Sequence, residues 1–148
     1  MGKVKGDDKA AIMKVVQEET TAFWNKDYKA LARHWVHAGY VQHHHRSPVG
    51  GIIVLKGWGP ISKAIKQYIE QNTNTNPRAN KAKRKKVSLR VGKDIAWISY
   101  EQHEIDSGEP GMDKPALSRE TKILEKHDGK WKIVFVGVVP GAPLDSGA

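Results

Sequence analysis

Residues Leu117 to Pro143 read LSRETKILEKHDGKWKIVFVGVVPGAP, and this stretch decides the fold of the chain. It predicts two long strands joined by a tight turn. His127-Asp128-Gly129-Lys130 supplies the turn, because Asp-Gly tolerates the positive φ that a two-residue hairpin connection demands. β-Branched and aromatic residues crowd Trp131 to Val139 and make it apolar on both faces. Such a strand is covered on both sides and belongs inside a sheet, away from its edge.

Working back from this hairpin, a Gly- and Pro-containing loop is expected over Asp106 to Pro115, and strands at about Lys86 to Val91 and Ile95 to Glu104 around the turn Gly92-Lys93-Asp94. Asn72 to Asn80 reads as a polar loop. Before it, Gly57-Trp58-Gly59-Pro60 opens a helix, with proline in its first turn and Ile61, Ala64, Ile65, Tyr68 and Ile69 as its apolar stripe. Tyr40 to His45 and Gly51 to Leu55 are two short strands about the turn Arg46-Ser47-Pro48-Val49-Gly50.

The chain opens with a helix from about Asp8 to Lys26, capped by Asp7 or Asp8, followed by a second from about Asp27 to Val36. The stripe of the first is Ile12, Val15, Val16, Ala22 and Phe23, and Glu19 fills the gap in it. A carboxylate on a buried helix face is costly unless paired or protonated, so Glu19 asks for a reason. The order of elements predicts one α+β domain over residues 1–148, a curved antiparallel sheet wrapped around three helices, with flexible tails at 1–7 and 141–148.

With 148 residues the chain can bury a core without staples, and the absence of cysteine excludes disulfides, thiolate metal sites and cysteine nucleophiles. Met1 to Ala10 is polar, and no apolar run approaches the roughly 20 residues of a membrane span, so a soluble cytoplasmic protein that makes no membrane contact is expected. The net charge of +9 raises nucleic-acid binding, but Lys81, Lys83, Arg84, Lys85 and Lys86 supply five of those charges, and nine less five leaves an ordinary +4. The run has no interleaved aromatics to stack bases and reads as a solvated loop, so no nucleic-acid partner is expected.

Several of these residues together resemble the nuclear transport factor 2-like superfamily. They are Lys26-Asp27 between the first helices, Gly57-Trp58-Gly59-Pro60-Ile61, Asp94-Ile95-Ala96-Trp97, Arg119-Glu120-Thr121-Lys122 and Asp128-Gly129-Lys130-Trp131. Within the superfamily the pattern is similar to SnoaL-like and ketosteroid-isomerase-like proteins. It is similar also to the association domain of calcium/calmodulin-dependent protein kinase II, which likewise ends in a segment like Gly141-Ala142-Pro143. The resemblance implies a cystatin-like α+β roll, a cone-shaped sheet closing on three helices around a central pocket. It does not imply one activity, because fold does not fix function.

Counted without gaps from Asp27, His43 falls where the isomerases carry their catalytic aspartate, and Glu19 where they carry an oxyanion-binding tyrosine. Neither residue type matches, yet a histidine can move a proton near neutral pH. His43 is therefore the candidate general base, and Glu19 its orienting partner or, kept protonated by burial, the donor to a developing oxyanion. On a strand His43 and His45 share a face and His44 points the other way. Two same-face histidines fall short of the three or four ligands zinc wants unless His103 or Glu19 converges on them, so no metal is expected, nor any organic cofactor.

Strand alternation puts Tyr100, Gln102, Glu120, Lys122, Leu124, Val136 and Val138 on the pocket face, and Ile95, Trp97, Thr121, Ile123, Ile133 and Phe135 on the opposite face. Bulges can shift that parity by one. The resemblance places cavity-lining arginines of the kinase association domain at Gln102, Lys122 and Val138, of which only Lys122 keeps a charge. An ion pair of a buried Lys122 with Glu19 or Glu120 would account for both charges structurally. Trp24, Trp35, Trp58 and Tyr68 have the spacing of core aromatics; around a cavity, all four would form its apolar wall.

Two functions follow as expectations. One is a small-molecule protein that binds a hydrophobic or polyketide-like compound and acts as a cofactor-independent isomerase, cyclase or dehydratase. The other is a non-catalytic oligomerisation module. An open pocket with His43 and Glu19 converging favours the first, and a cone filled by side chains the second. A homodimer through Trp97, Ile123, Ile133 and Phe135 is expected in either case, because the helices are committed to the other face of the sheet.

Overall fold

In the closing hairpin Asp128 and Gly129 both take positive φ, 51° and 77°, the backbone that the Asp-Gly pair predicts. The computed structural model describes residues 4–72, 83–103 and 117–141. Their elements run α1 (Val4–Trp24), α2 (Tyr28–Arg33), β1 (Gln42–Arg46), β2 (Ile52–Lys56), α3 (Trp58–Gln71), β3 (Lys83–Val91), β4 (Ile95–His103), β5 (Leu117–His127) and β6 (Lys130–Pro140). The order is the expected one. Residues 73–80 and 106–115 of the expected loops lie outside the described residues, as do 1–3 and 142–148 of the expected tails. Residues 4–7 belong to α1 and not to a tail.

The six strands form one curved, unclosed sheet in the order β2-β1-β6-β5-β4-β3. β6 has β1 on one side and β5 on the other, as its apolar faces predict. The pairings are antiparallel except that of β1 with β6, which is parallel and corrects the expectation of a wholly antiparallel sheet. Its cause lies just after α2. That helix ends at Arg33 instead of Val36 because the following backbone leaves it to join β6: Ile133 N–H donates to His34 O at 2.7 Å and Val36 N–H to Ile133 O at 2.9 Å. The chain thus enters the sheet alongside β6, running in the same direction.

α1 begins ahead of the expected cap, which places Asp7 and Asp8 inside the helix. Asp8 has a different task. Its Oδ1 accepts from Trp131 Nε1 at 2.9 Å and from Lys126 Nζ at 3.1 Å, tying the start of α1 to the tip of the hairpin. Ile12 and Val16 on α1, Leu31 and Trp35 from the α2 region, and Ile98, Leu124 and Ile133 from the sheet are almost fully buried between helices and strands.

A bulge on β6 corrects the facing of Ile133. Ile123 pairs with Phe135, but the next residue, Leu124, pairs with Ile133, so Val134 is the extra residue and alternation reverses across it. Ile133 is consequently in the core, fully buried, while Trp97, Ile123 and Phe135 stay on the outer face. β3 begins earlier than expected, so Lys83 to Lys86 belong to a strand and not to a solvated loop; Lys81 lies outside the described residues. Arg84 turns inward, its Nη1 donating to Gln17 Oε1 at 2.6 Å and its Nη2 to Thr20 Oγ1 at 2.9 Å, which binds the edge strand to α1. Among the described residues no helix is long and apolar enough to cross a membrane.

Candidate functional site

Between the helices and the inner face of the sheet lies a cavity of about 450 Å³, within the size range of small-molecule sites. α1 contributes Glu19, Thr20, Phe23 and Trp24, and α3 contributes Ile61, Ala64, Ile65 and Tyr68. Both sets follow helical spacing, so each is one face of its helix. The sheet supplies the rest by register. His43 pairs with Val136 and Lys122 with the same Val136, while His45 pairs with Val138 and Glu120 with that same Val138. The two histidines therefore stand on one side of β6 and the lysine and carboxylate on the other, all on the cavity wall.

The wall is apolar toward α3, β2 and the ends of β5 and β6, through Leu55, Ile65, Leu117 and Pro140, and polar where β5 meets β4. There Lys122, 1% exposed, donates from Nζ to Glu120 Oε1 at 2.8 Å and to Tyr100 OH at 2.5 Å. Tyr100 OH donates in turn to Glu120 Oε1 at 3.2 Å, and Glu120 Oε2 accepts from Gln102 Nε2 and Ser118 Oγ, both at 3.1 Å. The sequence allowed Lys122 to pair with Glu19 or Glu120; the hydrogen-bonded partner is Glu120. Burial opposes both charges, but each stabilises the other. Lys122 is held protonated above its ordinary range, and Glu120 ionised below its own with help from Ser118 and Tyr100.

The other titratable groups are shifted the opposite way. Burial pushes the Glu19 carboxyl up; the Lys122 charge opposes this, and the Glu120 carboxylate adds to it. Burial, with the neighbouring His45 and Lys122, lowers His43 to about 4, so its imidazole is neutral at neutral pH. His43 Nδ1 lies 3.1 Å from His45 Nδ1, and the ring stacks on Trp35 at a centroid separation of 6.3 Å. Trp35 Nε1 is buried and makes no well-formed hydrogen bond among the described residues. It lies near enough to the Glu19 carboxyl to favour the anion, against the larger effect of burial.

Of the residues singled out from sequence, the cavity brings together Glu19, Trp24, His43, Tyr68, Gln102, Glu120, Lys122, Val136 and Val138. Trp35, Trp58 and Tyr100 are not on its wall. The indole of Trp35 is turned under β1, where it meets Trp58 at 5.9 Å and His43, and His37 stacks on Trp58 at 4.3 Å. The Tyr100 hydroxyl is taken up by Lys122 and Glu120. These three support the wall from behind. His103 lies beside Glu101 on β4, at 3.4 Å, and does not join His43 and His45. Among the described residues no group of three or more histidine, aspartate or glutamate side chains has the geometry to hold a metal ion.

Sequence reasoning did not single out Thr20, Phe23 or Ser118 as wall residues. Phe23 sits four residues after Glu19 and Ser118 two before Glu120, so helical and strand periods applied from those anchors would have found both.

A curved sheet of this topology packed on three helices, with a cavity between it and α1 and α3, defines a class of α+β roll, and the family follows from the sequence. The chain belongs to the SnoaL-like domain family, whose model matches residues 12–137. Its fold is similar to a candidate dehydratase of the nuclear transport factor 2-like family from Streptomyces avermitilis, at 16% identity over 94% of this chain and 99% of that one, with a TM-score of 0.73. A nuclear transport factor 2-like superfamily protein from Salmonella enterica serovar Typhimurium is as similar, at 15% identity, 97% of each chain and a TM-score of 0.73. The association domain of the calcium/calmodulin-dependent protein kinase II of C. elegans aligns at 20% identity over 90% of this chain and 95% of that one, with a TM-score of 0.63. At these identities the likeness shows the fold alone. A search of curated proteins finds no match.

Proposed function

We propose that the cavity binds a small, largely apolar molecule and carries out cofactor-independent proton transfer on it, as an isomerase, cyclase or dehydratase does. The observation that carries this reading is the presence of His43 and Glu19 on one cavity wall, with the imidazole kept neutral and the carboxyl biased toward its protonated form. With His43 Nδ1 donating to His45, Nε2 holds the free lone pair. It takes a proton from a carbon next to a substrate carbonyl. The electron pair of that C–H bond becomes the C=C bond of an enolate while the carbonyl π pair moves to oxygen, where the Glu19 O–H donates to the developing oxyanion. As the carbonyl re-forms, return of the proton from His43 Nε2 to another carbon of a conjugated enolate completes an isomerisation; given instead to a β-hydroxyl, the same proton lets it leave as water as the Cα–Cβ double bond forms, which completes a dehydration.

The Streptomyces relative, a candidate dehydratase, is compatible with the second outcome. An unfilled cavity of about 450 Å³ weighs against a purely assembling module. We further propose that the outer face, with Trp97, Ile123 and Phe135, pairs with a second copy of the chain.

The test is deuterium incorporation. Small aryl ketones incubated with the protein in D2O should gain deuterium at the α-carbon, read by mass spectrometry, and His43→Ala should lose this while keeping its circular dichroism and its ability to bind the ketone. Exchange by bound ketone that is equal in the wild type and His43→Ala would remove His43 from the role of base.

A further inference from the structure

We propose that Glu120 sets the charge selectivity of the cavity: by holding Lys122 in a closed pair, it makes the site one for uncharged ligands. The inference rests on the reading of the cavity as a ligand site and names the class of molecule it takes. Lys122 is the one lysine or arginine among the described residues of the wall. Left alone, a buried ammonium would be a strong attractor of a carboxylate or phosphate ligand, since the low-dielectric surroundings magnify an uncompensated charge. It is not left alone. Glu120 Oε1 lies 2.8 Å from Nζ, and Tyr100 takes a second Nζ proton at 2.5 Å.

The other oxygen of Glu120 is fixed by Gln102 and Ser118 at 3.1 Å each, so the carboxylate cannot swing aside to admit a competing anion without giving up both bonds. An anionic ligand drawn to Lys122 would meet Glu120 at the same place. A cationic ligand finds the carboxylate already matched, and Lys122 repels it. What remains is a neutral molecule whose apolar body lies against Phe23, Trp24, Ile61 and Ile65 and whose polar end is a hydrogen-bond acceptor near Glu19. At roughly 30 Å³ for each water-sized atom, the cavity takes on the order of 15 non-hydrogen atoms, which is one or two fused rings with a short substituent.

The supporting protonation states agree. His43 adds no positive charge at neutral pH, and burial opposes a negative charge on Glu19.

Three probes on one bicyclic frame separate the cases: 2-acetylnaphthalene, 2-naphthoate and 2-naphthylmethylammonium, titrated calorimetrically into the wild-type protein near neutral pH. The ketone should bind at least about tenfold more tightly than either ion. Glu120→Gln keeps the size of the side chain but frees the charge of Lys122, and should invert the order of ketone and carboxylate. The double variant Glu120→Gln with Lys122→Met should restore it. A wild-type protein that prefers the carboxylate or the ammonium overturns the proposal while leaving the ligand-site reading intact, as does a folded Glu120→Gln protein with an unchanged order. Failure of all three probes to bind the wild type overturns both. Should Glu120→Gln not fold, the wild-type ratio alone decides.

Discussion

At the scale of single residues, the cavity displaces the titration of its ionisable groups from where it falls in water, and those displacements leave a mark on stability. Unfolded, His43 titrates at its ordinary 6.5; folded, at about 4. Across that window the unfolded chain takes up a proton that the folded chain refuses. The His43 contribution is thus fully present above 6.5 and is lost as pH falls toward about 4, by about 3 kcal/mol. Glu120, held below the carboxylate range, adds a loss of the same sign at lower pH, whereas Glu19, held above it, favours the folded state in acid. Urea denaturation of the wild type and of His43→Gln at pH values between 7 and 4 should give a visibly flatter curve for the variant, and equal slopes would contradict the burial described for this ring. How much of this was legible in the sequence depended on the residue. Glu19 stood out because a carboxylate interrupts an apolar stripe, and Lys122 and Glu120 because strand parity puts both on one face. Trp35 and Trp58 could not be assigned, since an indole that lines a cavity and one that supports its wall have the same helical spacing and the same apolarity.

At the scale of elements, the sequence located every helix and strand of the described residues but not all of their ends or facings. The hairpin turn was readable because Asp128-Gly129 has few other uses. The parity of Ile133 was not, because the bulge at Val134 is set by how β6 fits between β5 and the incoming chain after α2, a tertiary fact with no local signature. Asp8 was misread for a related reason. An aspartate near a helix start is usually a cap, and nothing local says that Trp131 stands opposite. The distinction is measurable. Asp8→Ala strands a buried indole N–H and a partly buried lysine and should cost about 1–3 kcal/mol, while Asp7→Ala, at an exposed position, should leave the melting temperature within a degree or two of the wild type. Comparable losses in the two variants would mean that the helix terminus, and not the tie to Trp131, is what Asp8 stabilises.

At the scale of the whole molecule, the helices and the outer face of the sheet divide the apolar surface between them. Trp97 is 43% exposed, and Ile52, Val54, Ile95 and Val139 are also largely uncovered, so the face retains the apolar character expected of an interface even with Ile133 removed from it. If two copies meet there, about 800 Å² buried per partner suffices for a stable dimer. Sedimentation at micromolar concentration should show a dimer that Phe135→Glu converts to monomer, and a wild-type monomer would dismiss the interface. The parallel junction of β1 with β6 bears on how this molecule comes into being. β2, one neighbour of β1, follows directly in the chain, but β6, the other, lies most of the chain's length away. Hairpins between successive strands form from nearby segments, whereas this pairing has to close a very long loop, and such contacts are slow to form. The strand that bears His43 and His45 is therefore expected to dock late, leaving the cavity open on that side until it does. The arrangement that walls the cavity also gives the nascent protein an interval in which crowded chains can stick to one another instead.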